Sequence, residues 1–227
     1  MPINIITTDR AAQDNGIKML VYGRPGVGKT TLCATAPKPI ILSAESGLLS
    51  LRKHSIPVIE IKTMQDLFDA YSYLTGPEGA NYETVCLDSI SEIAEVVLAN
   101  AKKASKDPRQ AYGELLTQMQ DLIRSFRDMP RFNVYFSAKE EYSKDEVGVQ
   151  HYIPSMPGSK LGPSLPYFFD EVFRLMVGED ENKNSFRYLS TRASLTHEAK
   201  DRSGALEPFE AADLNSIIFK IKGAING

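Results

Sequence analysis

The sequence is short of cysteine, of unbroken apolar runs and of excess positive charge, and each shortage removes a class of function. Its two cysteines, Cys33 and Cys86, stand alone in apolar surroundings. They lack the paired spacing of a zinc or redox site and are expected to be buried free thiols, suited to a reducing compartment. No stretch approaches the roughly 20 apolar residues of a membrane span. The opening Met1-Pro2-Ile3-Asn4-Ile5-Ile6-Thr7-Thr8-Asp9-Arg10 has neither the basic start nor the apolar segment of a secretory signal. A cytoplasmic protein with no membrane partner is therefore expected. With 26 Lys and Arg against 29 Asp and Glu, the net charge is −3. That balance excludes a protein that coats nucleic acid through bulk positive charge, so any DNA contact must be local.

What is present is one core's worth of apolar residues, 42% of a 227-residue chain, and residues 1–227 read as a single domain with 1–16 as an N-terminal extension. Short apolar runs at 17–22, 40–42, 56–61, 84–87 and 132–136 predict strands. They alternate with helical patterns at 29–35, from 63 onward, at 91–104 and at 114–129. Strands separated by helices predict an α/β fold with a mostly parallel sheet and right-handed crossovers. The helical pattern breaks between 102 and 113, around Asp107-Pro108. A polar stretch over 139–166 reads as a long mobile loop. Strands at 171–177 and 186–191, joined by a turn at 178–182, predict a C-terminal β-hairpin, and 213–222 a last helix.

Between the first strand and helix lies Gly23-Arg24-Pro25-Gly26-Val27-Gly28-Lys29-Thr30, followed by Thr31. The pattern G-x-x-x-x-G-K-T needs its glycines so that backbone N–H groups can approach phosphate oxygens. It predicts ATP and Mg²⁺ as ligands: Lys29 reaching the β- and γ-phosphates, and Thr30 placing its hydroxyl on the metal. Asp88 ends the strand at 84–87, where a carboxylate at the C-terminal edge of a parallel sheet faces the phosphate loop and holds a magnesium-bound water. A helix-capping Asp is the alternative. Glu45, after the strand at 40–42, lies on the same edge and is positioned to polarise the attacking water.

These residues, in this order and approximate spacing, resemble the RecA-like core ATPases. The chain is more closely similar to phage-encoded RecA-like ATPases of single-strand annealing and recombination, over roughly Lys18 to Lys222. The resemblance implies a RecA-like P-loop NTPase that works on single-stranded DNA, self-associates into a ring or short oligomer, meets phage replication or recombination proteins, and resides in a host cytoplasm. It implies a water-activating role for Glu45. It places two DNA-contacting loops at the breaks, one carrying Lys102, Lys103, Lys106, Arg109 and Tyr112, the other Lys139, Lys144, His151, Tyr152 and Lys160. Cations near aromatic rings suit backbone tracking and base stacking. Lys200-Asp201-Arg202 resembles the Lys-x-Arg element that related assemblies insert into a neighbour's active site. The chain departs from the pattern at Ser137-Ala138-Lys139, where relatives carry a glutamine or histidine phosphate sensor, and in lacking an obvious polymerisation domain. A helicase loader or protein-interaction module and a small-molecule phosphotransferase are the competing expectations.

Overall fold

A computed structural model describes residues 7, 15–45, 47–105, 107–144 and 147–226. In chain order the elements are β1 (Lys18–Gly23), α1 (Lys29–Cys33), β2 (Pro39–Ser43), β3 (Val58–Glu60), α2 (Met64–Thr75), β4 (Thr84–Asp88), α3 (Ile90–Ala104) and α4 (Pro108–Arg127). They continue with β5 (Asn133–Lys144), β6 (Gln150–Ser155), α5 (Leu161–Ser164), β7 (Glu171–Glu179), β8 (Ser185–Ser190), β9 (Lys200–Asp201), β10 (Phe209–Ala211) and α6 (Leu214–Asn226).

One sheet runs in the order β10-β8-β7-β1-β5-β4-β2-β3, with β6 added to β5 and β9 to β7. Its centre, from β7 to β3, is parallel, and the additions are antiparallel. β1, β2, β4 and the first half of β5 are almost wholly buried, which is why they read as continuous apolar runs rather than alternating ones. Leu20, Leu42, Leu87 and Phe136 pack on one face against α2, α3 and α4. Met19, Val21, Ile41, Cys86 and Tyr135 pack on the other against α1 and α6. The α/β expectation, a mostly parallel sheet flanked by helices and closed by a C-terminal hairpin, is borne out.

Three expectations are corrected. The break at 102–113 narrows to 105–107, because Asp107-Pro108 starts a helix. The Asp107 carboxylate accepts the Arg109 N–H at 2.9 Å and Pro108 occupies the first turn, where a missing N–H costs nothing. Lys102 and Lys103 thus sit in the last turn of α3 and Arg109 and Tyr112 in the first turns of α4; Lys106 lies outside the described residues. The segment 139–166 is not one loop. β5 continues to Lys144 and turns back as β6, with Tyr142 opposite Tyr152 and Lys144 opposite Gln150. Beyond Lys139, β5 continues through the charged and hydroxylated residues Glu140 to Lys144, so no apolar period announces the hairpin. The 178–182 turn falls slightly later, with the Asp180 carboxylate accepting the N–H groups of Asn182 at 2.9 Å and Asn184 at 2.8 Å. The N-terminal extension at 1–16 lies almost entirely outside the described residues.

Candidate active site

β1, β2, β4 and β5 deliver their ends to one edge of the sheet, with Ser43 level with Asp88 and Leu87 level with Phe136. At that edge β1 gives way to the phosphate-loop sequence. Gly28 has φ 106°, a left-handed conformation that an L side chain adopts only with strain. A side chain at Gly23 would meet the Leu175 carbonyl at 2.8 Å. The glycines of the motif are thus demanded by backbone geometry even before any ligand is considered.

The Thr30 hydroxyl donates to Asp88 Oδ2 at 2.6 Å, and the Ser137 hydroxyl donates to Asp88 Oδ1. Asp88 is only 2% exposed. Burial raises its carboxyl above the ordinary value, against the two hydroxyl donors and the Lys29 charge, with the Glu45 charge adding to the rise. Lys29 Nζ donates to the Gly23 carbonyl at 2.8 Å and the Arg24 carbonyl at 3.1 Å. Burial lowers its pKa, and the charges of Asp88 and Glu45 oppose that change. Glu45 is half-buried, and its Oε1 accepts the Ser89 hydroxyl at 2.6 Å. Ser89 also caps α3 by accepting the Glu92 N–H at 3.3 Å. The capping role weighed for Asp88 therefore belongs to its neighbour, leaving the carboxylate directed at the loop.

Lys29, Thr30, Glu45, Asp88 and Ser89 are brought together. Ser137 joins them, and its signal was available: like Asp88, it is a polar residue ending an apolar strand. Lys139 turns instead to Glu92, at 2.6 Å. Arg24 lies over the Tyr152 ring at 6.0 Å and reaches Glu140 at 3.6 Å; Arg174, almost fully buried, pairs with Glu140 at 2.7 Å and stacks on Tyr152 at 3.8 Å. This network ties the phosphate loop to the β5–β6 hairpin. Neither Glu140 nor Arg174 carries a local signal, since the contact joins three distant segments.

Lys200 and Arg202 lie elsewhere. β9 pairs with the start of β7, at the opposite edge of the sheet. The Lys200 ammonium donates to the carbonyls of Pro166, at 2.6 Å, and Phe169. That makes Lys200 a clamp within its own chain, and the expectation of a catalytic role for it is corrected accordingly. Arg202 is exposed and pairs with Asp170 at 2.9 Å. Of the expected DNA contacts, Lys102 lies over the Tyr112 ring at 5.4 Å, and Tyr112 lies against the backbone at Gly158, two residues before Lys160. The two segments assigned to separate loops therefore meet. Lys103, Arg109, Lys144 and Lys160 are exposed, whereas His151 pairs with Glu198 at 3.1 Å.

No helix among the described residues is long and apolar enough to cross a membrane. A comparison with curated proteins gives no match. Among solved structures, the chain is similar to a prototypical ATPase from the type III secretion system of pathogenic bacteria, at 15% identity and a TM-score of 0.48. That match covers 71% of this chain and 52% of the secretion ATPase, so the chain spans about half of that protein's length. It is also similar to the flagellar accessory protein FlaH from Methanocaldococcus jannaschii, at 10% identity, a TM-score of 0.39 and 78% of each chain. The family model described as AAA domain matches residues 15–203, most of the chain and all of the site just described. With its α/β sheet and phosphate loop, the chain belongs to the AAA domain family of P-loop NTPases.

Proposed function

We propose that the chain is a Mg²⁺-dependent ATP hydrolase that acts as an oligomer on single-stranded DNA. The observation that carries the hydrolase reading is the convergence of Lys29, Thr30, Asp88 and Glu45 on one sheet edge, with Asp88 receiving the Thr30 hydroxyl at 2.6 Å. The donor set fits Mg²⁺: a hydroxyl and a carboxylate are hard oxygen ligands, and this ion completes its shell with water and phosphate oxygens. Thr30 and Asp88 would hold the ion, which would supply positive charge against the phosphates. Lys29 leaves the Gly23 and Arg24 carbonyls for the β- and γ-phosphate oxygens, which carry full negative charge. Ser89 occupies one oxygen of Glu45 and so orients the other toward water. Glu45 takes a proton as the water oxygen attacks the γ-phosphorus, and the bond from that phosphorus to the β–γ bridging oxygen breaks, releasing ADP.

The DNA reading is supported by the meeting of Lys102, Tyr112 and the Gly158 segment, and by the Tyr142–Tyr152 pair on the β5–β6 hairpin, whose ring centroids are 6.3 Å apart. Cations beside exposed rings suit stacking of unpaired bases. Arg202 is the group suited to reach a neighbouring subunit, because it is exposed and held only by a surface pair. A partner-activated module is the second reading, favoured by an aromatic row along the sheet's edge strands, in which exposed Phe186 and Phe209 flank half-buried Tyr188. ATP hydrolysis measured with and without single-stranded DNA, with Lys29→Ala as control, separates the two. Stimulation that disappears in the control supports the DNA reading. Hydrolysis indifferent to DNA, with ATP binding verified, overturns it in favour of the partner.

A further inference from the structure

The C-terminal hairpin lies close against the phosphate loop at a point that the hydrolytic residues leave unused. Arg187, on β8, crosses over Gly28 so closely that a side chain there would meet the guanidinium Nε at 2.7 Å. It borders a cleft of about 490 Å³ also lined by Gly28, Thr31, Thr35, Phe186 and Ala212. Alternation along β8 explains the placement. Leu189, two residues on, is buried in the core layer that α1 and α6 form, so Arg187 projects on that same side of the sheet, over the loop. The Arg187 side chain is exposed and, among the described residues, makes no hydrogen bond or ion pair, whereas those of Arg24, Arg127, Arg174 and Arg202 each reach a carboxylate.

The direction of the bound nucleotide follows from the loop. Thr30 faces Asp88, which fixes the γ-phosphate and metal end. Thr31 follows about 100° further round the helix and lines the cleft instead. A triphosphate laid from Asp88 toward Thr31 therefore delivers its nucleoside into the cleft. We propose that Arg187 forms one wall of a nucleoside subsite, its guanidinium plane stacking on the base of the bound nucleoside triphosphate. A guanidinium is planar, permanently charged and weakly hydrated, so it stacks on aromatic faces, which a lysine ammonium does not reproduce. The wall that reads the nucleoside thus belongs to the hairpin rather than to the loop that holds the phosphates.

This inference rests on the nucleotide reading above, and the experiment keeps the two apart. Calorimetric titration compares ATP with inorganic tripolyphosphate on the wild-type chain and on the Arg187→Ala and Arg187→Lys variants. Thermal unfolding checks that both variants fold, as expected for an exposed position. Arg187→Ala is expected to weaken ATP about tenfold, the size of a stacked cation–ring contact, while leaving tripolyphosphate within about twofold. Arg187→Lys is expected to behave like Arg187→Ala. Equal ATP affinity in wild type and Arg187→Ala overturns the subsite. So does an equal loss for both ligands, which makes Arg187 a phosphate contact, or full recovery by lysine, which makes its charge sufficient. A wild-type chain that binds neither ligand overturns the nucleotide reading itself, and the subsite with it.

Discussion

The two edges of the parallel sheet both hold buried charge, and they use it in opposite ways. At the edge where β7 and β1 begin, the charges are committed within the chain. Lys18, 6% exposed, donates to the carbonyls of Met129 at 3.0 Å and Phe132 at 2.7 Å. Lys200 is tied down on Pro166 and Phe169, and the Asp201 carboxylate accepts the Ser203 hydroxyl at 2.5 Å and the N–H groups of Gly204 and Leu206 at 2.9 and 3.1 Å. At the edge where β4 and β5 deliver Asp88 and Ser137, the partners are hydroxyls and loop carbonyls that a ligand can replace. Burial therefore does not mark function by itself. What separates a structural charge from a working one is whether its partners can be exchanged.

The sharpest way to break the comparison is to delete a charge from the working edge. Lys29→Ala is expected to lower ATP turnover about 10³-fold with little change in thermal stability, because its partners are loop carbonyls; substantial unfolding instead would make Lys29 a structural group like Lys18. Glu45→Gln is expected to cost about 10²-fold in turnover while ATP affinity, read by calorimetry, stays within a few-fold. Loss of affinity together with turnover would assign Glu45 to binding rather than to water.

The structural edge yields a pH effect. Burial, then the adjacent Asp201 carboxylate, pushes Glu171 up to about 8 from an ordinary 4.5. A folded-state pKa above the unfolded one means that the folded chain holds the proton more tightly. Its contribution is complete below about pH 4.5 and is lost as pH rises through about 8, an upper bound of a few kcal/mol. Urea unfolding across that range should show wild-type stability falling with pH and a shallower fall in Glu171→Gln, while ATP turnover per folded molecule keeps its pH profile. The smallest stability effect belongs to Arg202→Ala. Its exposed pair with Asp170 is worth under about 1 kcal/mol, so a much larger drop in chemical denaturation would move Arg202 into the structural set. Normal turnover in that variant would remove its proposed reach into a neighbouring subunit.

How far these edges were legible depended on whether their parts are local in sequence. The loop from Gly23 to Thr31 is one contiguous pattern, and Asp88 stood out as a carboxylate closing an apolar strand. Asp107-Pro108 misled because the same dipeptide suits a break and a helix start. Only the acceptance of the Arg109 N–H by Asp107 decides between them. The β5–β6 hairpin escaped because the outer half of β5, Glu140 to Lys144, has no apolar period, and Glu140, Arg174 and Arg187 escaped because their contacts join segments far apart in the chain.

One of those segments has a mechanical consequence. β5 runs without interruption from Ser137, whose hydroxyl touches Asp88, to Lys144 at the far end of the hairpin. The seven residue-to-residue steps from Ser137 to Lys144 span roughly 23 Å of extended strand. A tilt of only about 5° at the Asp88 end therefore sweeps the distal end through about 2 Å over that length. The strand is a pointer whose pivot lies beside Asp88 and whose tip is exposed, so a change of bond length in the Thr30–Asp88–Ser137 cluster is magnified at Lys144.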